Sequence, residues 1–312
     1  MKKRVLIIGS SNMDFVCNTE RLPAAGETIT TNESYMLVPG GKGGNTAVAA
    51  ARLGADCVFC AKLGNDSYGK SLYDFYKNEG IDVRHLKCSR EYPTGLASII
   101  VEGNGDNRII VYPGANMHIL AEDVEAAVIT YPGAAIMQLE INYERVVEAV
   151  QHCNERDIPV VIDAGPASKE LDLSRLGHLE IFSPNETETE IFTGIRPYAY
   201  ESCIKAAIAI RNIVNTKYVV LKLGSKGCFI YDGKYANFSE AFKVNAVDTT
   251  AAGDSFTAAL TLEYLRNGKN ILEAARYANA VGAMVASKPG AAPSIPTHEE
   301  VLRFIEEKEN EK

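Results

Sequence analysis

Short, largely apolar runs, each ended by a polar or glycine-rich turn, recur along this chain: Val5 to Ile8, Ala134 to Leu139, Pro159 to Ile162, Ile181 to Ser183 and Tyr218 to Leu223. A strand that is apolar on both faces belongs inside a parallel sheet covered on both sides. Parallel neighbours need crossover connections, and stretches with helical spacing lie between the runs, among them Asn45 to Leu53, Tyr68 to Glu79 and Glu144 to Arg156. The pattern predicts an α/β fold with a doubly wound, Rossmann-like central sheet flanked by helices. No repeat or linker divides the 312 residues, so residues 1–312 are expected to form one domain.

In such sheets ligands lie beyond the carboxyl ends of the strands. Those ends deliver Asn12 and Asp14, then Gln138 and Glu140, then Asp163, then Asn185-Glu186-Thr187-Glu188, and finally Gly224-Ser225-Lys226-Gly227. Asn12 and Asp14 also suit plain turns, and Asn185 with Glu188 also suits a helix cap.

Two further stretches carry small residues straight into a helical pattern. In Asp248-Thr249-Thr250-Ala251-Ala252-Gly253-Asp254-Ser255-Phe256 the helix is marked by Phe256, Ala259, Leu260, Leu262 and Leu265. Its first-turn N–H groups lack internal partners, and Ala251, Ala252 and Gly253 have no bulk to keep an anion away. Asp254 there is placed to accept a hydroxyl proton while the amides steady a transferring phosphoryl group; capping is the plainer role for such an acid. Pro39-Gly40-Gly41-Lys42-Gly43-Gly44-Asn45 likewise lets backbone approach a ligand at a helix start, or serves tight packing.

Gly64-Asn65-Asp66-Ser67-Tyr68-Gly69-Lys70-Ser71 fits the G-x-x-x-x-G-K-[ST] phosphate loop. Asp66 and Tyr68 would put a carboxylate and a ring into a cradle that needs bare backbone, so Asp66 is read as a turn residue. Thr94 to Val101 and Asn107 to Tyr112 about the turn Glu102 to Asp106 read as a hairpin. With the β-type residues before Gly40 it forms a small projecting sheet, about 14–40 and 94–113, able to act as a lid or a subunit contact. Ser287 to Ser294 is a constrained loop with carbonyls free for a hard cation, and Glu306 to Lys312 is expected to fray.

The net charge is −8, and Lys2-Lys3-Arg4 is the only basic block, so nucleic-acid and membrane partners are not expected. The apolar run after it is too short for a signal peptide. Seven scattered cysteines without an export signal indicate free thiols in a reducing, cytoplasmic setting. Cys57-Val58-Phe59-Cys60 lies in a strand-like run, where residues three apart face opposite sides.

The glycine motif at residues 39–45, Asn185-Glu186-Thr187-Glu188 and Asp248 to Asp254 together give the chain a resemblance, over nearly its whole length, to the PfkB carbohydrate kinases, and among them to the ribokinases. The resemblance implies the ribokinase-like fold and ATP-dependent phosphorylation of a sugar hydroxyl, for ribose the terminal one, giving ribose 5-phosphate. Asp254 matches the catalytic base, and the amides of Ala252, Gly253 and Asp254 match the anion hole. Asn12, Asp14, Gly40, Gly41, Lys42, Asn45 and Glu140 match the sugar side. Asn185, Lys222, Gly224, Ser225, Gly227 and Asn279 match the nucleotide side, with Glu188 near magnesium. A potassium ion is implied beside the anion hole, held by Asp248, Thr250, Val285, Lys288, Gly290 and Ser294. The projecting sheet matches a lid that pairs in homodimers.

Three departures stand out against the resemblance. Gly44-Asn45-Thr46 replaces the usual Ala-Asn-Gln, Asp163-Ala164-Gly165-Pro166 a usual Asn-Pro-Ala-Pro, and Lys222 a common Thr. These are expected to lie apart from the phosphoryl-transfer parts and to leave ribose, deoxyribose, a ketosugar such as fructose, or a nucleoside as acceptors. A silent sugar or nucleotide sensor on the same fold is the reading from another class.

Overall fold

The computed structural model describes residues 3–103 and 106–311; Lys2 of the basic block, Asn104 and Gly105 of the hairpin turn, and Lys312 lie outside them. The first third of the chain contains β1 (Arg4–Ile8), β2 (Asn12–Thr19), β3 (Tyr35–Gly40), α1 (Lys42–Arg52), β4 (Asp56–Gly64), α2 (Ser67–Asn78), β5 (Leu86–Ser89), β6 (Gly95–Glu102) and β7 (Asn107–Tyr112). The middle follows with α3 (Ala121–Val128), β8 (Ala134–Gln138), α4 (Tyr143–Asn154), β9 (Val160–Asp163), β10 (Leu179–Ser183), α5 (Glu186–Thr193), α6 (Tyr200–Ile213) and β11 (Thr216–Lys222). The last part holds β12 (Cys228–Tyr231), β13 (Ala236–Ser239), α7 (Ala252–Arg266), α8 (Ile271–Ala286) and α9 (His298–Asn310).

The main sheet runs β13-β12-β11-β10-β9-β8-β1-β4-β5, with β12 and β13 antiparallel at one edge and parallel pairing from β11 to β5. Strand order reverses around β1, which lies between β4 and β8, and the crevice outside its carboxyl end is the natural ligand position. Val5 and Ile7 pack on one face with α1, α7 and α8, while Leu6 and Ile8 pack on the other with α3, α4 and α6. Cys57 belongs to the first face and Cys60 to the second, and both thiols are free, so the C-x-x-C is not a pair. Phe256, Leu260 and Leu262 of α7 are buried, each contributing roughly 1.5–3 kcal/mol, which anchors the helix whose first turn carries Asp254.

The second sheet, in the order β3-β2-β6-β7, is continuous in sequence with β1 and α1. Strand-type residues after Thr28 form a strand only from Tyr35 onward. Tyr35, Met36, Leu37, Ile109, Ile110, Val111 and Tyr112 are exposed on it.

Several elements depart from expectation. The first helix starts at Lys42 rather than Asn45, because Gly41 takes the N-cap position at φ 82° and Gly43 passes close to β1, where an added Cβ would come within 2.6 Å of the Gly9 carbonyl carbon. The C-terminal residues expected to fray belong to α9 as far as Asn310, since Thr297 and Glu300 form a capping box and Val301 is buried. No helix among the described residues is long and apolar enough to cross a membrane.

Candidate active site

Two helix starts converge at the switch point. Asn45, in the first turns of α1, donates from Nδ2 to Asp254 Oδ2 at 2.8 Å, and Lys42 Nζ lies 3.8 Å from Asp254 Oδ1. Asp254 is buried in the first turn of α7. Burial raises its carboxyl above the ordinary range, Lys42 opposes that rise, and Asp163 adds to it. Lys42 is held protonated more firmly than usual, chiefly by Asp254.

Ala251 precedes α7 in the left-handed region, at φ 63°, a conformation that costs a non-glycine residue about 1 kcal/mol. Of the three amides expected to bind an anion, that of Ala252 turns back to the Thr249 carbonyl at 3.2 Å. The Ser255 amide bonds the Ala251 carbonyl at 2.9 Å, and between them the N–H groups of Gly253 and Asp254 face the helix entrance.

Around the same point lie the other residues expected on the sugar side. Asn12 and Asp14 open β2, and Gly40 pairs opposite Asn12 at the end of β3. Glu140 accepts from the Lys42 amide at 3.1 Å and from the Ser10 hydroxyl. Asn12 Oδ1 accepts from Asn116 Nδ2 at 2.7 Å, and Asn116 Oδ1 accepts from the Ser11 amide at 2.8 Å. Asp14 Oδ1 is buried with no hydrogen-bond partner. Burial, with Glu140 and Asp254 nearby, pushes the Asp14 carboxyl up to about 7. A buried acceptor without a donor is what an incoming hydroxyl satisfies. Asn116 and Ser10 carried no sequence signal: Asn116 lies in a short 3-10 helix, Gly114–His118, and Ser10 in the connection after β1.

Gly44 stands against the Tyr76 hydroxyl, which would collide with an added Cβ, and that hydroxyl shares a 2.8 Å hydrogen bond with Ser11 Oγ. Thr46 Oγ1 accepts from Gln138 Nε2 at 3.0 Å. Both sequence departures at this helix are thus matched by neighbouring side chains.

The other two departures do not lie apart, as expected, but against α7. Lys222 Nζ is 2.7 Å from Asp163 Oδ1, and the Thr257 hydroxyl donates to Asp163 Oδ2 at 2.7 Å. The reason is topological: β9 and β11 flank β10, and their carboxyl ends open toward the α7 N-terminus. Burial alone would raise the Asp163 carboxyl, but the ammonium groups of Lys222 and Lys42, with hydrogen bonds from Lys222 and Thr257, outweigh it and hold the group below its ordinary value. Thr257 sits three residues after Asp254 on one helix face, a spacing that offered a signal.

Asn185 and Glu188 form a reciprocal capping box at the start of α5, at 2.8 Å in each direction. Burial raises the Glu188 carboxyl. Ser225 is exposed and Gly224 has φ 52°. The Asn279 amide is turned inward, donating to the carbonyls of Ser239 and Glu240 at 2.9 and 3.2 Å, against which Gly227 packs. The phosphate-loop spacing at Gly64 is filled by its own side chain: Asp66 caps α2, accepting from the Gly69 amide at 2.8 Å, and also accepts from the Thr94 amide and hydroxyl at 2.8 and 2.7 Å.

Asp248 Oδ1 accepts from the Thr250 amide at 2.9 Å and hydroxyl at 2.6 Å, while Oδ2 accepts from the Gly290 amide at 2.9 Å. This carboxylate clips the segment before α7 to the loop after α8. The Val285 carbonyl accepts from the Lys288 amide at 3.2 Å, and buried Ser294 donates to the Ala291 carbonyl at 2.7 Å. An all-oxygen set of carboxylate, carbonyls and hydroxyl suits a hard monovalent cation. Among the described residues no group of three or more His, Cys, Asp or Glu could hold a metal ion by itself.

Residues 2–298 match the pfkB family carbohydrate kinases. The ribokinase of Haemophilus influenzae is 37% identical over 308 residues, covering 98% of this chain and 99% of that protein. A deoxyribokinase of Salmonella typhi is 30% identical over 305 residues, covering 96% of this chain and 98% of that protein. Among solved structures, Arabidopsis thaliana ribokinase complexed with ribose and ATP has a TM-score of 0.87 at 30% identity, covering 98% of this chain and 99% of that one. The chain belongs to the pfkB family of carbohydrate kinases, which are ATP-dependent phosphotransferases. Within that family it is a sugar kinase of the ribokinase type.

Proposed function

We propose that the protein transfers the γ-phosphate of ATP to the terminal hydroxyl of D-ribose, giving ribose 5-phosphate, with Asp254 as the base. The observation that carries this is the Asn45 to Asp254 hydrogen bond at 2.8 Å, which joins the sugar-side helix to the phosphoryl-side helix at one carboxylate. Asn12, Asp14, Gly40, Gly41, Lys42 and Glu140 bind the vicinal hydroxyls, where carboxylates and amides supply both acceptors and donors. Asp254 orients the attacking hydroxyl and receives its proton late, which a weak base manages in a loose phosphoryl transition state. The Gly253 and Asp254 amides take the charge on the transferring group, with Ala252 shaping the entrance. Asn185, Lys222, Gly224, Ser225 and Gly227 form the nucleotide side, and Asn279 holds the Ser239 to Glu240 backbone that walls it.

Magnesium, near Glu188, neutralises the nucleotide phosphates. Potassium at Asp248, Thr250, Val285, Lys288, Gly290 and Ser294 stiffens the loop below the anion hole. The second sheet acts as a lid over the sugar and, through its exposed apolar face, pairs two copies. An Ile110→Asp substitution should then halve the particle mass in sedimentation; an unchanged mass removes the pairing.

The likeness to both a ribokinase and a deoxyribokinase keeps deoxyribose as the second reading, ahead of ketosugars and nucleosides. Release of ADP measured with ribose, deoxyribose, fructose and nucleosides in turn tests the acceptor. Asp254→Asn should abolish turnover while sugar binding persists. A protein that binds sugar but never turns over, even unaltered, would be the silent sensor.

A further inference from the structure

Asp163 ends β9 and Lys222 ends β11, and both reach the entrance of α7 from the sheet. Their 2.7 Å contact is nearly dry: the lysine side chain is 12% exposed and the aspartate 1%. A Cβ placed on Gly253 would lie 3.6 Å from the Lys222 ammonium, so this cation stands at the rim of the bare amides. Asp163 is itself pinned by the Thr257 hydroxyl, one turn into the same helix. Each residue departs from the neutral amide or hydroxyl usual at its position in the resemblance. The two charges offset each other's burial in this contact, and Lys42 faces the same carboxylate.

We propose that Lys222 and Asp163 work as one exchanged unit, in which Asp163 holds the Lys222 ammonium beside Gly253 so that it contacts the phosphoryl group in transit. This rests on the phosphoryl-transfer reading above. The bond from the γ-phosphorus to the ADP oxygen breaks as the bond to the sugar oxygen forms, the sugar proton passes to Asp254, and Lys222 takes no part in the proton transfer. Lys222 is then a catalytic residue and Asp163 its positioning partner. An ammonium already fixed in place meets the charge spread over the equatorial oxygens without first being ordered.

The test uses the full chain as wild type, Lys222→Thr, Asp163→Asn and the double variant, assayed for ADP release at saturating sugar and ATP. Sugar binding by calorimetry reports that each is folded. The threonine variant should lose roughly 100-fold in kcat with sugar KM within about three-fold, the size of effect seen when one charge-stabilising donor is removed. The double variant should be as slow as Lys222→Thr, since the ammonium is missing from both, while Asp163→Asn alone should lose less, since it keeps the ammonium and gives up only its fixed position. Lys222→Arg, which keeps the charge, should exceed the threonine variant. A threonine variant with wild-type kcat, a double variant recovered to near wild type, or an arginine variant no faster than threonine overturns the proposal. Turnover by Asp254→Asn would instead overturn the assignment of the base, so the two failures are separable.

Discussion

The Asn45 side-chain amide meets the Asp254 carboxylate at 2.8 Å, joining residues 209 positions apart at the mouths of two helices. That hydrogen bond favours the ionised acid and opposes the rise caused by burial. Asn45→Ala therefore raises the Asp254 carboxyl further. The acidic limb of kcat/KM should move to higher pH, and sugar KM should rise roughly ten-fold, the size of one lost hydrogen bond to a charged group. A pH–rate profile superimposable on wild type would dissociate Asn45 from the acid's ionisation.

Asp14 carries a cost in stability. Its carboxyl is raised from 3.8 to about 7, so the folded chain holds this proton more tightly than the unfolded chain. The associated stability is complete below the unfolded value and is lost as pH rises through about 7. Asp14→Asn removes that loss, so it should gain on the order of 3 kcal/mol near pH 8 and little near pH 4, while sugar binding falls. Urea midpoints at the two pH values measure the difference; equal gains at both would contradict the assignment.

At the phosphate-loop spacing the two residues should behave oppositely. Lys70 is exposed, and Lys70→Ala should leave kcat within about two-fold, as for a surface position. Asp66→Ala removes a helix cap and both bonds to Thr94 and should cost roughly 1–2 kcal/mol of stability. Abolished turnover in Lys70→Ala, with the fold intact, would reinstate the loop as a nucleotide site.

The proposed potassium site predicts dependence on ionic identity rather than ionic strength. Replacing potassium with tetramethylammonium at equal concentration should lower kcat, since a large organic cation cannot be held by carbonyls. Asp248→Asn should weaken the activation, because it removes the formal charge of the set. Equal rates in the two salts would eliminate the site.

Some of this was readable from residues alone because it depends on local pattern. Unbroken apolar runs announce buried parallel strands, and small residues entering a helical stripe announce the α7 entrance. Other features depend on what the fold brings alongside. β12 and β13 are short antiparallel strands, and the buried stripe of α6, Cys203, Ala206, Ala207 and Ile210, is made mostly of small residues, so neither stood out. Asp163 was visible as a polar strand end and Lys222 as a departure, yet their pairing follows only from β9 and β11 flanking β10. Asn185 was legible both as a helix cap and as a nucleotide contact, and its oxygen takes the Glu188 amide, the cap that the i, i+3 spacing offered.

Helix α8 is a single strut with two fittings, one midway along it and one at its C-terminal end. Asn279 grips the Ser239 to Glu240 backbone, while the Ala286 carbonyl receives the Val247 and Asp248 amides at 2.8 and 3.2 Å. Seven residues at 1.5 Å each separate the fittings by about 10 Å, too short a rod to bend independently at its ends. Stiffening either fitting thereby prepares the other, so nucleotide should bind more tightly when the cation is present, and by reciprocity the cation more tightly when nucleotide is seated.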